Sequence, residues 1–295
     1  MESFPIDGRT QLVGLIGWPV AHSLSPAMHN AAFAALGLNW RYVPLPVPPD
    51  ALEAAVEGLA ALGFRGANVT VPHKEAVLPL LHAHTPGVEA TGAANTLVVE
   101  EEEAFHLRGH NTDGQGGLDA LRRGGFRPGG RRAVVVGAGG AARAVVHRLL
   151  TAGVQEIVVL NRTAERGRRL LADLAPEASE TRALELRPPA LVEAARAADL
   201  LVNATPVGMW PRADASIWPT GVPLPAHLTV FDLVYVPRET RLLAQARAAG
   251  AGAIGGLDML VGQGARAFEL WTGESAPVEV MRAACERALE KEEER

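Results

Sequence analysis

The segment Val134–Ala144, VVVGAGGAARA, restricts this chain more than any other. An apolar β-branched run passes straight into Gly137-x-Gly139-x-x-Ala142, and an alanine-rich stretch with helical character follows. Strand, glycine turn and helix in that order open a βαβ unit, and a second apolar run, Ile157 to Leu160, ends about 20 residues on, as such a unit requires. Gly137 permits the tight turn, Gly139 lets a pyrophosphate approach the backbone, and Ala142 lets helix and strand pack closely. The start of the helix offers free N–H groups and a positive dipole end to phosphates. The sequence therefore predicts a dinucleotide site.

The end of the second strand selects the dinucleotide. An NAD site has Asp or Glu there, accepting hydrogen bonds from the ribose hydroxyls, and that carboxylate repels a 2′-phosphate. This chain has LNRTAERGRR, with Asn161, Arg162 and Thr163, and with Arg166 one helical turn beyond Arg162. Two guanidinium groups at that spacing clamp a phosphate, one of them stacking on adenine. Cations at a helix start oppose the dipole unless an anion sits there. The pattern favours NADP over NAD.

Elsewhere, strand-like and helix-like segments alternate, which favours a parallel or mixed sheet covered by helices. TQLVGLIG, RYVPLPV and GANVTVP read as extended, and SPAMHNAAFAALG as a helix opened by Ser-Pro. DALEAAVEGLAALG reads as a helix with Asp50 as N-cap and Gly63 as stop, and HKEAVLPLLHAH as the start of a further helix. AANTLVVEEEEAFHLRGHNTDG suggests two strands around an acidic turn. A chain of 295 residues accommodates two ordinary domains. The expected class is α/β: residues 1–113 with 257–295 form an α/β domain with a mostly parallel or mixed sheet, and 114–256 form a Rossmann domain.

Composition removes several classes. A net charge of −5 argues against nucleic acid as partner, because phosphate neutralisation needs a concentrated basic surface. The single cysteine, Cys285, excludes an intramolecular disulfide and a cysteine-rich metal site, and no metal is expected. There is no secretory leader pattern at the N-terminus and no apolar run of about 18 residues, so the expectation is a cytoplasmic chain with no membrane partner.

Ser23 and Ser25, two hydroxyls in a loop leading into a helix, suit a carboxylate or form a plain helix cap. Asn95, Asn111, Thr112 and Asp113 lie at strand ends, where ligands meet an α/β sheet and where hydrogen-bonded turns also occur. Lys74 follows directly on NVTVPH, and His73 beside it reads as structural. Taken together, HSLSPAMHN, ANVTVPHK, AANTL, NTDG, GAGGAARA, NRT, NATPVGM, DLVY and GLDMLVGQGARAFELWTG occur in an order that resembles the shikimate dehydrogenase family, from about Gly14 to Trp271. That resemblance implies NADPH-dependent reduction of 3-dehydroshikimate to shikimate on the way to chorismate and the aromatic amino acids. It also implies a substrate domain, an NADP domain and a cleft between them.

Carried onto this sequence, the resemblance makes Lys74 and Asp113 the catalytic pair. Ser23 and Ser25 would hold the substrate carboxylate, Thr70, Asn95 and Asp113 the ring hydroxyls, and Tyr235 and Gln263 the other side of the substrate. Gly137, Ala138, Gly139, Gly140 and Ala141 would line NADP with Asn161, Arg162, Thr163, Arg166, Leu233 and Gly256, and Thr205 and Met209 lie in motifs on the nicotinamide side. The family includes monomers and homodimers. In one departure, Thr85-Pro86 stands where members often carry an acidic residue. Two rival readings compete with this one. An NAD-dependent quinate/shikimate dehydrogenase is disfavoured by Ser23, Ser25, Arg162 and Arg166, and a non-catalytic metabolite sensor by the presence of both Lys74 and Asp113.

Overall fold

The computed structural model describes residues 5–101, 105–174 and 180–293, so the acidic turn expected after Glu101 lies outside the described residues. The chain divides into two compact units, residues 1–112 with 261–295 and residues 113–260.

The first unit runs β1 (Gln11–Gly17), α1 (Ser25–Ala35), β2 (Trp40–Pro46), α2 (Leu52–Ala61), β3 (Phe64–Val69), β4 (Ala83–His84), α3 (Pro86–Thr91), β5 (Thr96–Glu101) and β6 (Phe105–His110). Its sheet has the order β2-β1-β3-β5-β6-β4. β1 is parallel to β2 and β3, whereas β5 runs antiparallel to both β3 and β6, so the sheet is mixed. Ile16, Val69 and Leu97 pack on Val56 and Leu59 of α2. On α1, Met28, Ala32 and Phe33 are buried, and the Phe33 ring stacks 5.2 Å from Phe268.

The second unit continues with α4 (Asp113–Arg123), β7 (Arg132–Val136), α5 (Gly140–Thr151), β8 (Glu156–Asn161), α6 (Ala164–Leu174), β9 (Glu180–Glu185), α7 (Pro188–Arg196), β10 (Leu200–Asn203), β11 (Thr229–Asp232), α8 (Arg241–Ala248) and β12 (Gly252–Gly255). The helices α9 (Gly256–Thr272) and α10 (Val278–Glu293) follow, and the division between units falls within α9. Here all strands are parallel, in the order β12-β11-β10-β7-β8-β9. Val135, Ile157, Val159 and Val202 face one core while Val134, Val136, Val158 and Leu201 face another. Burial on both faces explains why these strands read as unbroken apolar runs. Among the described residues, no helix is long and apolar enough to cross a membrane.

Two local expectations fail. HKEAVLPLLHAH forms no α-helix: successive turns lead into a 3₁₀ turn at Leu78–Leu80 and then β4. Pro79 lacks an N–H and disfavours α geometry at Leu78, so the periodic apolar pattern is not propagated. Asp50 does not cap α2; it sits inside a 3₁₀ turn, Pro49–Ala51, and the helix starts at Leu52 without a side-chain cap.

Candidate active site

In the second unit the glycine turn is built by two glycines with different reasons for being glycine. Gly137 has φ +117°, donates its N–H to the Leu160 carbonyl at 2.8 Å, and would set a Cβ 2.7 Å from the Ala204 carbonyl oxygen. The fold itself demands glycine there. Gly139 has φ −91° and ψ −175°, open to any residue, and no atom lies within 4 Å of where its Cβ would be. Nothing in the chain requires glycine at 139, and the first turn of α5 receives no side-chain cap. Open space before uncapped N–H groups is the cradle a pyrophosphate fills. Gly140 and Ala141 begin that turn, Ala138 packs partly on the core, and Ala142 is fully buried beneath it.

At the end of β8, Asn161 Nδ2 donates to the Thr163 carbonyl at 2.9 Å and shapes the entry into α6. Arg162 and Arg166 are exposed there, and among the described residues neither has an ion-pair partner. Arg168 on the same helix does pair, with Glu165 at 2.8 Å. Two unpaired guanidiniums at a helix start, with no carboxylate at the strand end, suit a 2′-phosphate.

The strand ends beside this turn are pinned by a buried carboxylate that the sequence alone does not single out. Asp232 accepts from Thr240 Oγ1 at 2.6 Å, Asn203 Nδ2 at 2.9 Å and the Val234 N–H at 3.1 Å. Burial nonetheless holds its carboxyl above the ordinary carboxylate range. Asn203 also accepts from Thr205 Oγ1 at 2.6 Å. Leu233 donates to the Asn203 carbonyl, and a Cβ on Gly256 would lie 2.2 Å from the Leu233 carbonyl oxygen, so Gly256 is fixed by close approach. Tyr235 is half-buried just beyond, and Met209 is exposed.

In the first unit the loops after β1 and β3 lie side by side, joined by Trp18 N–H to the Val71 carbonyl and Thr70 N–H to the Ile16 carbonyl. Ser23 Oγ accepts from the Ser25 N–H at 3.2 Å, so the serines share one turn, and Ser25 is only 5% exposed. Neither caps α1 with its side chain. Thr70 accepts from the His73 N–H; His73 is buried with its Nε2 2.7 Å from the Val47 carbonyl, a structural contact. Lys74 is half-buried, and its carbonyl accepts from Ala94 N–H at 2.8 Å, which fixes its turn beside Asn95.

Asn95 is the hub of a buried polar cluster. Its Nδ2 donates to Thr112 Oγ1 at 2.9 Å and to Gln263 Oε1 at 3.2 Å, and its Oδ1 accepts from the Thr112 N–H at 2.8 Å. Asn111 serves the scaffold, donating to Thr91 Oγ1 and the Ala93 carbonyl. In the second unit, Asp113 is the buried first residue of α4, where the helix dipole favours its charge.

Three family models match: Shikimate dehydrogenase substrate binding domain over residues 15–97, Shikimate / quinate 5-dehydrogenase over 124–209, and Shikimate 5′-dehydrogenase C-terminal domain over 256–286. The Shikimate dehydrogenase (NADP(+)) of Methanopyrus kandleri is 51% identical, covering 96% of this chain and 97% of its own length. The chain belongs to the shikimate dehydrogenase family. Two solved structures share its fold. The shikimate 5-dehydrogenase of Thermus thermophilus, in complex with NADP(H) and shikimate, is 41% identical with a TM-score of 0.84, covering 95% of this chain and all of that one. The shikimate 5-dehydrogenase of Listeria monocytogenes, in complex with shikimate and NAD, is 36% identical with a TM-score of 0.87, covering 94% and 97%.

This member of the shikimate dehydrogenase family also carries buried polar residues that sequence reasoning passes over. Tyr42 and Asn68 in the first unit, and Asp232 and Thr240 in the second, have partners on other elements. Asn68 does lie within the motif ANVTVPHK, but no spacing ties it to Tyr42.

Proposed function

We propose that this chain catalyses the reversible, NADP-dependent reduction of 3-dehydroshikimate to shikimate in the cytoplasm. Residues 1–113 with 257–295 take the substrate and 114–256 the cofactor. The observation that carries the reading is Lys74: a half-buried amine whose turn is tied to Ala94, next to the Asn95–Gln263 cluster.

NADPH, when bound, supplies the hydride for the ketone carbon. Gly137, Ala138, Gly139, Gly140 and Ala141 hold its pyrophosphate. Asn161, Arg162, Thr163 and Arg166 hold the 2′-phosphate, and Leu233 and Gly256 the nicotinamide side. Ser23 and Ser25 donate to the substrate carboxylate, while Thr70, Asn95, Gln263 and Tyr235 hold the ring hydroxyls. As negative charge grows on the ketone oxygen, the Lys74 ammonium hydrogen-bonds it and delivers the proton; in the oxidative direction the amine takes that proton back. Asp113 orients the ammonium and favours its charged form.

The test is a spectrophotometric assay of NADPH formation from shikimate. Lys74→Ala is expected to fold normally and to lose at least about 10²-fold in kcat, the scale of a general acid–base group. Near-normal turnover in that variant removes the assigned role. A second reading, an enzyme accepting quinate with NAD, is favoured by the shikimate/quinate model over residues 124–209. Comparable kcat/KM for quinate with NAD would select it instead.

A further inference from the structure

Behind Ser25 lies a hydrogen-bonded chain that the reaction as described does not use. Tyr42 on β2 is 2% exposed. Its hydroxyl donates to Asn68 Oδ1 at 2.8 Å and is also hydrogen-bonded to the Ser25 side chain. An amide oxygen only accepts, so the phenol proton belongs to Asn68 and the Tyr42 oxygen faces Ser25 as an acceptor. Asn68 in turn donates to the Asn95 carbonyl at 3.1 Å and to Thr96 Oγ1 at 3.0 Å. One buried path therefore joins Ser25 to Asn95.

Tyr42 is held from three sides. Asn30 of α1 donates to its carbonyl and accepts from its N–H, both at 2.9 Å, so the helix that begins at Ser25 is tied to this residue of β2. The neutral imidazole of His29 stacks on its ring, with centroids 4.5 Å apart and planes 6° from parallel. Burial pushes the phenol above its ordinary value, so the hydroxyl stays a donor at any working pH. A serine hydroxyl otherwise rotates among three staggered positions. Anchored to a fixed phenol, Ser25 keeps one.

We propose that Tyr42 is a positioning residue for substrate binding, fixing the Ser25 hydroxyl and coupling it through Asn68 to Asn95. The proposal rests on the reading that Ser25 meets the substrate carboxylate. It accounts for a buried tyrosine hydroxyl, costly to desolvate, at a place where a phenylalanine would pack as well.

The experiment is a double-mutant cycle of Tyr42→Phe and Ser25→Ala, with steady-state kinetics for shikimate at saturating NADP. The phenylalanine keeps the ring, its stack on His29 and the backbone tie to Asn30, and thermal midpoints check that each variant is folded. Tyr42→Phe is expected to raise KM for shikimate about 5- to 10-fold with kcat within about 3-fold, the pattern of lost uniform binding. In the Ser25→Ala background the same substitution is expected to change KM by less than about 2-fold, because its route to the substrate is gone. If Tyr42→Phe leaves KM unchanged while Ser25→Ala raises it, Tyr42 has no positioning role. Effects of the two substitutions that simply multiply exclude that role as well. If Ser25→Ala itself leaves KM unchanged, the carboxylate reading fails and takes the proposal with it.

Discussion

His29 offers a test of the packing in the first unit. It is fully buried, neither ring nitrogen has a hydrogen-bond partner, and its neighbours are the rings of Tyr42, Phe33 and Trp271, none of them charged. Burial alone takes its pKa from the ordinary value down to about 3. In the unfolded chain the imidazole titrates near 6.5, so below that pH the unfolded state gains a proton that the folded state refuses. The stabilisation is complete above pH about 6.5 and is lost as pH falls towards the folded value. Each pH unit in that window costs about 1.4 kcal/mol, which amounts to about 2 kcal/mol at pH 5 and about 5 kcal/mol at pH 3.

The perturbation is His29→Leu, and the quantity read is the change in urea midpoint between pH 7.5 and pH 5.0. Tryptophan fluorescence reports it, since Trp271 lies 5.3 Å from His29. The wild type should lose about 1 M more in midpoint than the variant over that interval, at an m-value of about 2 kcal/mol/M. His110 and His147, also lowered mainly by burial, are present in both proteins and cancel in the comparison. Equal losses in the two proteins would refute the reasoning, because the variant has nothing left to titrate at this position.

Arg162→Ala should raise KM for NADP at least about 10-fold and leave KM for NAD nearly unchanged, as expected for a charge-assisted phosphate contact; equal effects on both remove the 2′-phosphate argument. Gly139→Ala should leave the thermal midpoint unchanged and weaken NADP binding in calorimetry. Gly137→Ala should destabilise by roughly 1–3 kcal/mol or more, since φ +117° and the Ala204 carbonyl both oppose a side chain. Thr240→Val deprives Asp232 of its 2.6 Å donor and α8 of its cap at the Leu243 N–H, and urea unfolding should register about 2–3 kcal/mol.

What the sequence displays depends on how local each cause is. The turn at Gly137 is dictated by backbone within a few residues, so strand, turn and helix can be placed from the string VVVGAGGAARA. The same holds for Arg162 and Arg166, whose meaning comes from their offset from that turn. The segment after Lys74 misleads because its apolar spacing is helical while Pro79 interrupts it. β9 and β12 escape prediction: the first is an edge strand of mixed polarity and the second carries glycine at both ends. The path from Ser25 through Tyr42 and Asn68 is invisible in the sequence because its members meet only when β2 lies beside β1 and β1 beside β3.

The first unit is assembled from two stretches of chain separated by the whole of the second. Phe268 and Trp271, which complete the aromatic packing around Phe33 and His29, and Gln263, which meets Asn95, all come from the later stretch. On a ribosome, residues 113–260 can close their parallel sheet while the earlier stretch still waits for α9 and α10. A nascent chain halted near residue 260 would present a finished nucleotide half and an unfinished sugar-acid half, with α1 lacking the helix that covers it.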